Sequence, residues 1–173
     1  MGKKLGALAT LLCVLGSVSP ASAANILVLI DGIDVGKGSV FMRFCDAGPL
    51  DECQQFGAVQ FAGYETVGFR FSDIPPSEYA FVAFQDLDSS GQAERNFIGM
   101  PKEPFALSND AGEQLIPPPS FEDVKVPVVD GEEITVRLTM QTVTASKKAE
   151  GAPVLPVESV PVLEVADPVP QLP

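Results

Sequence analysis

Residues 133–142, Glu-Ile-Thr-Val-Arg-Leu-Thr-Met-Gln-Thr, alternate apolar and polar side chains without a break. Ile134, Val136, Leu138 and Met140 share one side; Thr135, Arg137, Thr139 and Gln141 share the other. A period of two is the pleat of a β-strand with one buried face. Just upstream, Asp130-Gly131 is a tight-turn pair that predicts a hairpin. Residues 121–129 carry the alternation further back, with Val124, Val126 and Val128 on one face. Pro127 lacks an N–H to give a ladder, which predicts an edge strand or a bulge.

The same reading extends towards the N-terminus. Over residues 66–72, Val67, Phe69 and Phe71 alternate with Thr66, Gly68, Arg70 and Ser72, a half-buried strand. Pro75 and Pro76 then force a turn. Residues 78–85 are apolar on both faces, as a covered central strand requires, and residues 25–30 read as another inner strand. Residues 39–44 form a strand joined to it by a loose hairpin through the Gly-rich segment 31–38. Residues 50–56 suit one short helical turn and residues 59–61 a short strand. No stretch beyond the leader keeps a helical period. About six or seven strands in roughly 120 residues predict an all-β fold, a small antiparallel β-sandwich spanning residues 24–143.

The two ends differ in composition from this body. Lys3 and Lys4, a charge-free apolar run over residues 5–18 and the small residues Ala21-Ser22-Ala23 make residues 1–23 a signal peptide cleaved after Ala23. That run is too short and wrongly flanked for a lasting membrane span. The mature chain is expected to be exported, to the periplasm or beyond. Residues 144–173 are rich in Val, Glu and Pro, with prolines at 153, 156, 161, 168, 170 and 173. They predict an extended, disordered tail whose removal from Ala145 onwards leaves the fold intact.

Composition narrows the chemistry. The formal net charge is -12, and loss of Lys3 and Lys4 takes it to -14. Such acidity disfavours nucleic acid and anionic membranes and favours cations, basic partners or neutral ligands. The chain has no His and no Trp. Without His, triad hydrolases, zinc sites and most redox metal sites lose their commonest base and ligand. Cys45 and Cys53 are the two cysteines left after the leader. An even count in an exported chain predicts a disulfide.

The chemistry-bearing stretch is residues 86–110. Asp86, Asp88 and Ser90 fall on the first, third and fifth positions of a calcium loop, with Gly91 sixth, the Gln92 carbonyl seventh and Glu94 ninth. The twelfth position, where a bidentate acid belongs, is Phe97; Asn96 or Glu103 would have to complete the oxygen shell. The other reading is an Asp/Ser/Gly turn whose side chains bond its own backbone. The carboxylates of Asp86, Asp88 and Glu94 also allow an acid/base pair in a cleft walled by Phe97, Phe105 and Tyr79.

Four segments in order carry a family resemblance: Ile74-Pro75-Pro76-Ser77-Glu78-Tyr79-Ala80, residues 85–96, Gly99-Met100-Pro101-Lys102-Glu103-Pro104-Phe105-Ala106-Leu107-Ser108-Asn109, and Pro118-Pro119-Ser120-Phe121-Glu122-Asp123. The series resembles the uncharacterised bacterial exported family known as domain of unknown function 2141, over residues 25–142. The chain departs from the family pattern at Ser77, Glu78, Ser90, Glu94 and Ala106, yet keeps oxygen-bearing side chains in the loop. The resemblance implies a sandwich similar to transthyretin-like or carboxypeptidase regulatory domains and brings no activity with it. It ties the loop to Lys102, Glu103, Ser108 and Asn109 as supports. The resulting expectation is a non-catalytic module whose loops bind a glycan or an envelope protein, with the self-bonded turn as the default reading of the Asp86 loop and calcium as the testable alternative. The alternative is an envelope hydrolase using Asp86, Asp88 or Glu94 with Lys102 and Glu103.

Overall fold

A computed structural model describes residues 23–96, 100–113, 117–142 and 159–165. Residues 1–22 of the expected signal peptide, and 143–158 and 166–173 of the expected tail, lie outside the described residues. Among the described residues nine strands make two sheets: β1 (Ala24–Asp31), β2 (Ser39–Cys45), β3 (Phe56–Phe61), β4 (Thr66–Ile74), β5 (Ser77–Asp86), β6 (Phe105–Leu107), β7 (Lys125–Val128), β8 (Glu133–Thr139) and β9 (Val162–Val165). One sheet has the order β8-β1-β4-β9, and the other β3-β2-β5-β6 with β7 also on β5. The all-β, two-sheet reading holds. Among the described residues no helix is long and apolar enough to cross a membrane.

The alternating faces meet between the sheets. Val67, Phe69 and Phe71 of β4 and Val136 and Leu138 of β8 pack from one side, and Val40, Met42, Phe44, Tyr79 and Phe81 from the other. Phe44 is fully buried. Its ring stacks on Phe81 at 5.1 Å and meets Phe71 edge-on at 4.9 Å. The doubly apolar strands are the inner ones, as their pattern requires: β1 lies between β8 and β4, and β5 between β2 and β6.

Three expectations are corrected. Residues 31–38 and Asp130-Gly131 close no hairpins, because β1 and β8 belong to one sheet and β2 and β7 to the other. The turns reverse the chain but step it across the core, since β1 needs a neighbour on each edge and takes β4 and β8. The β1–β8 and β4–β9 pairings are consequently parallel. Residues 121–124 are not strand but one helical turn, α1 (Phe121–Val124), followed at once by β7. The Asp123 carboxylate there accepts the Ser120 N–H at 2.8 Å and the Ser120 Oγ–H at 2.7 Å. That capping geometry stops the strand and turns Val124 onto the outer face, against Phe84 and Leu107. Pro127 does lie on an edge strand, opposite Glu78.

The third correction concerns the tail. Val162–Val165, inside the stretch read as disordered, is a strand paired with β4. Val160 and Val162 close over Leu27 and Leu29, which point away from the inter-sheet core. Gly68 makes this docking sterically open, because a Cβ there would stand 2.8 Å from Val162 Cγ2. The Gly68 N–H donates to the Pro161 carbonyl at 2.9 Å.

Cys45 and Cys53 are bridged, with Cα atoms 5.3 Å apart. The bridge closes a short loop around a 3-10 turn, Leu50–Glu52, where the helical turn was expected. On the chain-entropy view a loop of this size contributes about 2–3 kcal/mol. Tyr79, at the start of β5, donates its hydroxyl to the Pro75 carbonyl at 2.9 Å and so pins the Pro75-Pro76 crossover between the sheets.

Candidate functional site

β5 delivers residues 86–96 to one end of its sheet. Gln85, fully buried, fixes that end: its Nε2 donates to the Asp34 and Lys37 carbonyls at 2.8 and 2.7 Å, and its Oε1 accepts the Asp34 N–H at 2.9 Å. A buried amide with its groups engaged in this way makes a rigid joint. The turn at residues 34–38 is thereby held against the root of the loop. Sequence reasoning passed over Gln85; the available signal was one amide ending an otherwise apolar strand.

Asp86 is 2 % exposed. Its Oδ1 accepts the Ser90 N–H at 3.1 Å and its Oδ2 the Gly91 N–H at 2.8 Å. Asp88 Oδ1 also accepts the Ser90 N–H, at 3.0 Å. Gly91 and Ser89 hold positive φ angles of 75° and 63°, which turn these amides inward. Glu103, 7 % exposed, closes the loop from the other side. Its Oε1 accepts the Leu87 N–H at 2.8 Å and its Oε2 the Glu94 N–H at 3.4 Å. Three carboxylate oxygens, one each from Asp86, Asp88 and Glu103, lie within 4.8 Å of one another.

The remaining predicted residues sort clearly. Ser90 Oγ donates to the Gln92 carbonyl at 3.1 Å, so both stay within the turn. Glu94 points outward and accepts Lys102 Nζ at 3.0 Å. Asn96 Oδ1 accepts the Met100 N–H at 3.0 Å and shapes the return of the chain. Among the proposed ion ligands the carboxylates of Asp86 and Asp88 converge, and Glu103 joins them. Phe97 lies outside the described residues. Tyr79 belongs to the inter-sheet core and Phe105 to the outer face, so they do not wall one cleft. Ser108 and Asn109 support a different joint. Ser108 Oγ accepts the Phe81 N–H at 3.1 Å and donates to the Val124 carbonyl, while Asn109 Nδ2 reaches the Asp123 and Lys125 carbonyls. They tie β5 to α1 and β7, because β6 runs antiparallel to β5 and carries them away from its loop end.

The carboxylates differ in their protonation. Burial, with the charges of Asp86 and Asp88, pushes Glu103 above the ordinary carboxylate value of 4.5, and the amide bonds from Leu87 and Glu94 only partly counter this. Hydrogen bonds from Ser90 hold Asp88 below its ordinary 3.8, and those from Ser120 do the same for Asp123. The signs then oppose. A carboxyl raised on folding stabilises below its unfolded value, and that contribution is lost as pH rises through the folded value. The lowered aspartates stabilise above their unfolded value and lose that contribution as pH falls through their folded values. Thermal stability is therefore expected to rise as pH drops from 7 towards about 5 and to fall below about 4. Relief of acidic self-repulsion acts in the same direction as Glu103. Glu103→Gln isolates the carboxyl: the rise in Tm between pH 7 and 5 should flatten. A slope unchanged from the parent would remove Glu103 from the account.

Beside this loop the outer face of the β3-β2-β5-β6 sheet forms a cleft of about 360 Å³. Its lining includes Leu50 and Asp51 of the disulfide loop, Gln54 just beyond it, Val82 and Phe84 of β5, and Gln92 of the Asp86 loop. A second hollow of about 330 Å³ continues over Ser90, Glu94 and Lys102 and shares Gln92, Ala93 and Arg95 with the first. Arg43 of β2 enters the cleft beside Phe84. Arg43, Gln54 and Val82 were not singled out from sequence; a lone cation next to Phe41 on the solvent side of a strand was the signal for the first.

No curated protein and no solved structure matches the chain. The family described as "Uncharacterized protein conserved in bacteria (DUF2141)" matches residues 28–137, from β1 into β8 and across the whole Asp86 loop. With well over half the chain inside that match, the protein belongs to the DUF2141 family of bacterial proteins.

Proposed function

We propose that the protein is an exported, non-catalytic β-sandwich module that binds a glycan in the cleft between its disulfide loop and its Asp86 loop. The observation that supports this reading is the make-up of the cleft. Its lining combines apolar Leu50, Val82 and Phe84 with the amides of Gln54 and Gln92, and a second hollow adjoins it and shares Gln92. A sugar ring offers the matching surface, an apolar C–H face ringed by hydroxyls, and a chain of rings needs adjoining subsites. Chemistry by the loop carboxylates is less well supported, since Asp86 and Glu103 accept backbone N–H groups and Glu94 faces Lys102. General acid/base work needs a carboxyl within reach of the substrate proton. Export follows from residues 1–23, and the mature chain is expected to begin at Ala24, the buried first residue of β1.

Calorimetric titration of the mature protein with a panel of soluble oligosaccharides tests the reading. Binding without release of new reducing ends is expected. Release of reducing ends would favour the hydrolase, and absence of binding at millimolar oligosaccharide would leave a protein partner as the ligand class. The calcium expectation is settled by the same material. If the Asp86, Asp88 and Glu103 oxygens take an ion, millimolar calcium raises Tm, because a ligand confined to the native state stabilises it. An unchanged Tm leaves the three carboxylates as acceptors for the turn alone.

A further inference from the structure

The cleft contains a cation that aromatic rings hold and that, among the described residues, no carboxylate neutralises. Arg43 is half-buried on β2, opposite Val82 of β5. Its Cζ lies 5.4 Å from the centroid of the Phe84 ring and 5.9 Å from that of Phe41. Those two rings stack on each other at 4.8 Å and 5°. Among the described residues no carboxylate pairs with Arg43, although acids outnumber bases two to one in this chain. Its Nε is buried with no hydrogen-bond partner. Burial lowers the guanidinium from its ordinary value, with no neighbouring charge in compensation. Leaving such a group unpaired costs stability, so it calls for another reason to be there.

We propose that Arg43 makes the cleft a carboxylate-reading subsite, binding one uronate residue of an otherwise neutral glycan. This rests on the glycan reading above and specifies its ligand. The guanidinium fork matches a carboxylate in plane, and the Phe41 and Phe84 rings beside it restrict its movement before a ligand arrives. Gln54 and Gln92 line the same cleft and suit ring hydroxyls, and Leu50 and Val82 line it and suit the apolar ring face. One carboxylate, not many, fits the electrostatics. At a net charge of -12 the whole protein repels a polyanion, whereas a single partly buried pair is screened little and acts locally.

The test compares a xylo-oligosaccharide bearing one glucuronate with the neutral xylo-oligosaccharide of equal length, by calorimetry on the mature protein. At least tenfold tighter binding of the acidic ligand is expected, with Arg43→Gln abolishing that preference while weak neutral binding remains. Arg43→Lys, which keeps charge without the fork, should recover only part of it. Exposed Asp51, which lines the same cleft, provides a variant far less exposed to folding failure: Asp51→Asn should raise the preference for the acidic over the neutral ligand two- to threefold. Equal binding of both ligands, unaffected by Arg43→Gln and Asp51→Asn, overturns the carboxylate subsite and keeps the glycan module. Failure of both ligands, with binding instead of a peptide through its free C-terminal carboxylate, overturns the glycan reading and this inference with it.

Discussion

Gly38→Ala is expected to lower Tm by about 10 °C or more, and Gly36→Ala, two residues away in the same turn, by less than half as much. Both glycines have positive φ, 61° and 81°. Each substitution therefore carries the left-handed penalty of about 1–2 kcal/mol. Around Gly36 nothing lies within 4 Å of a Cβ, so the penalty ends there. At Gly38 the Cβ would stand 1.7 Å from the Asp86 carbonyl oxygen and 2.8 Å from its carbon. Backbone must move, and forced overpacking adds about 1–3 kcal/mol. The displaced residue is the root of the loop. Ser39 pairs with Asp86 at the end of the β2–β5 ladder, and the Asp86 carboxylate holds the Ser90 and Gly91 amides. Gly38→Ala should thus weaken ligand binding together with stability, since Gly91 and Gln92 line the cleft, and Gly36→Ala should leave binding intact. Paired thermal melts and titrations decide it, and equal effects at the two positions would sink the steric argument.

Gly38 also marks where the sequence stops being legible. Strand identity is carried by local period, so residues 66–72, 78–85 and 133–142 could be read directly. Partner identity is not local. Asp130-Gly131 announces a reversal but not whether the next strand joins the same sheet, and here it joins the other. The Asp86 loop shows the same division. Its Asp/Ser/Gly spacing was visible, and so were the two readings of it. Which oxygens converge depends on Glu103 returning from beyond Met100, a contact that spacing alone left open. Arg43 was invisible as a site residue because its meaning lies in what does not pair with it. The capping turn at Ser120 was available in the sequence, as a serine with an acid three residues on, but the valine alternation masked it.

Truncation before Ser159 is the sharpest test of the corrected boundary. From composition alone, removal of the Pro-rich tail costs nothing. With β9 in the sheet, it uncovers Leu27 and Leu29, which are 2 % and 0 % exposed. Each buried leucine represents about 1.5–3 kcal/mol of transfer free energy. The freed chain regains conformational entropy, and the truncated protein keeps the inter-sheet core, so it should fold with a net loss of about 2–3 kcal/mol. Two readouts separate this from a general weakening. The Gly68 amide loses its Pro161 acceptor and should exchange far faster, while amides in β2 and β5 exchange at rates set only by the lower global stability. An environment-sensitive dye should bind at the bared leucines. Gly68→Val in the full-length chain puts side-chain atoms where Val162 sits, so it should produce the same two signatures without shortening the protein. A protected Gly68 amide and an unchanged Tm after truncation would return residues 159–165 to the tail. Short of that, the fold includes a strand added from beyond the family-matched segment, which ends at residue 137, and that strand lies in the other sheet from the one that carries the cleft.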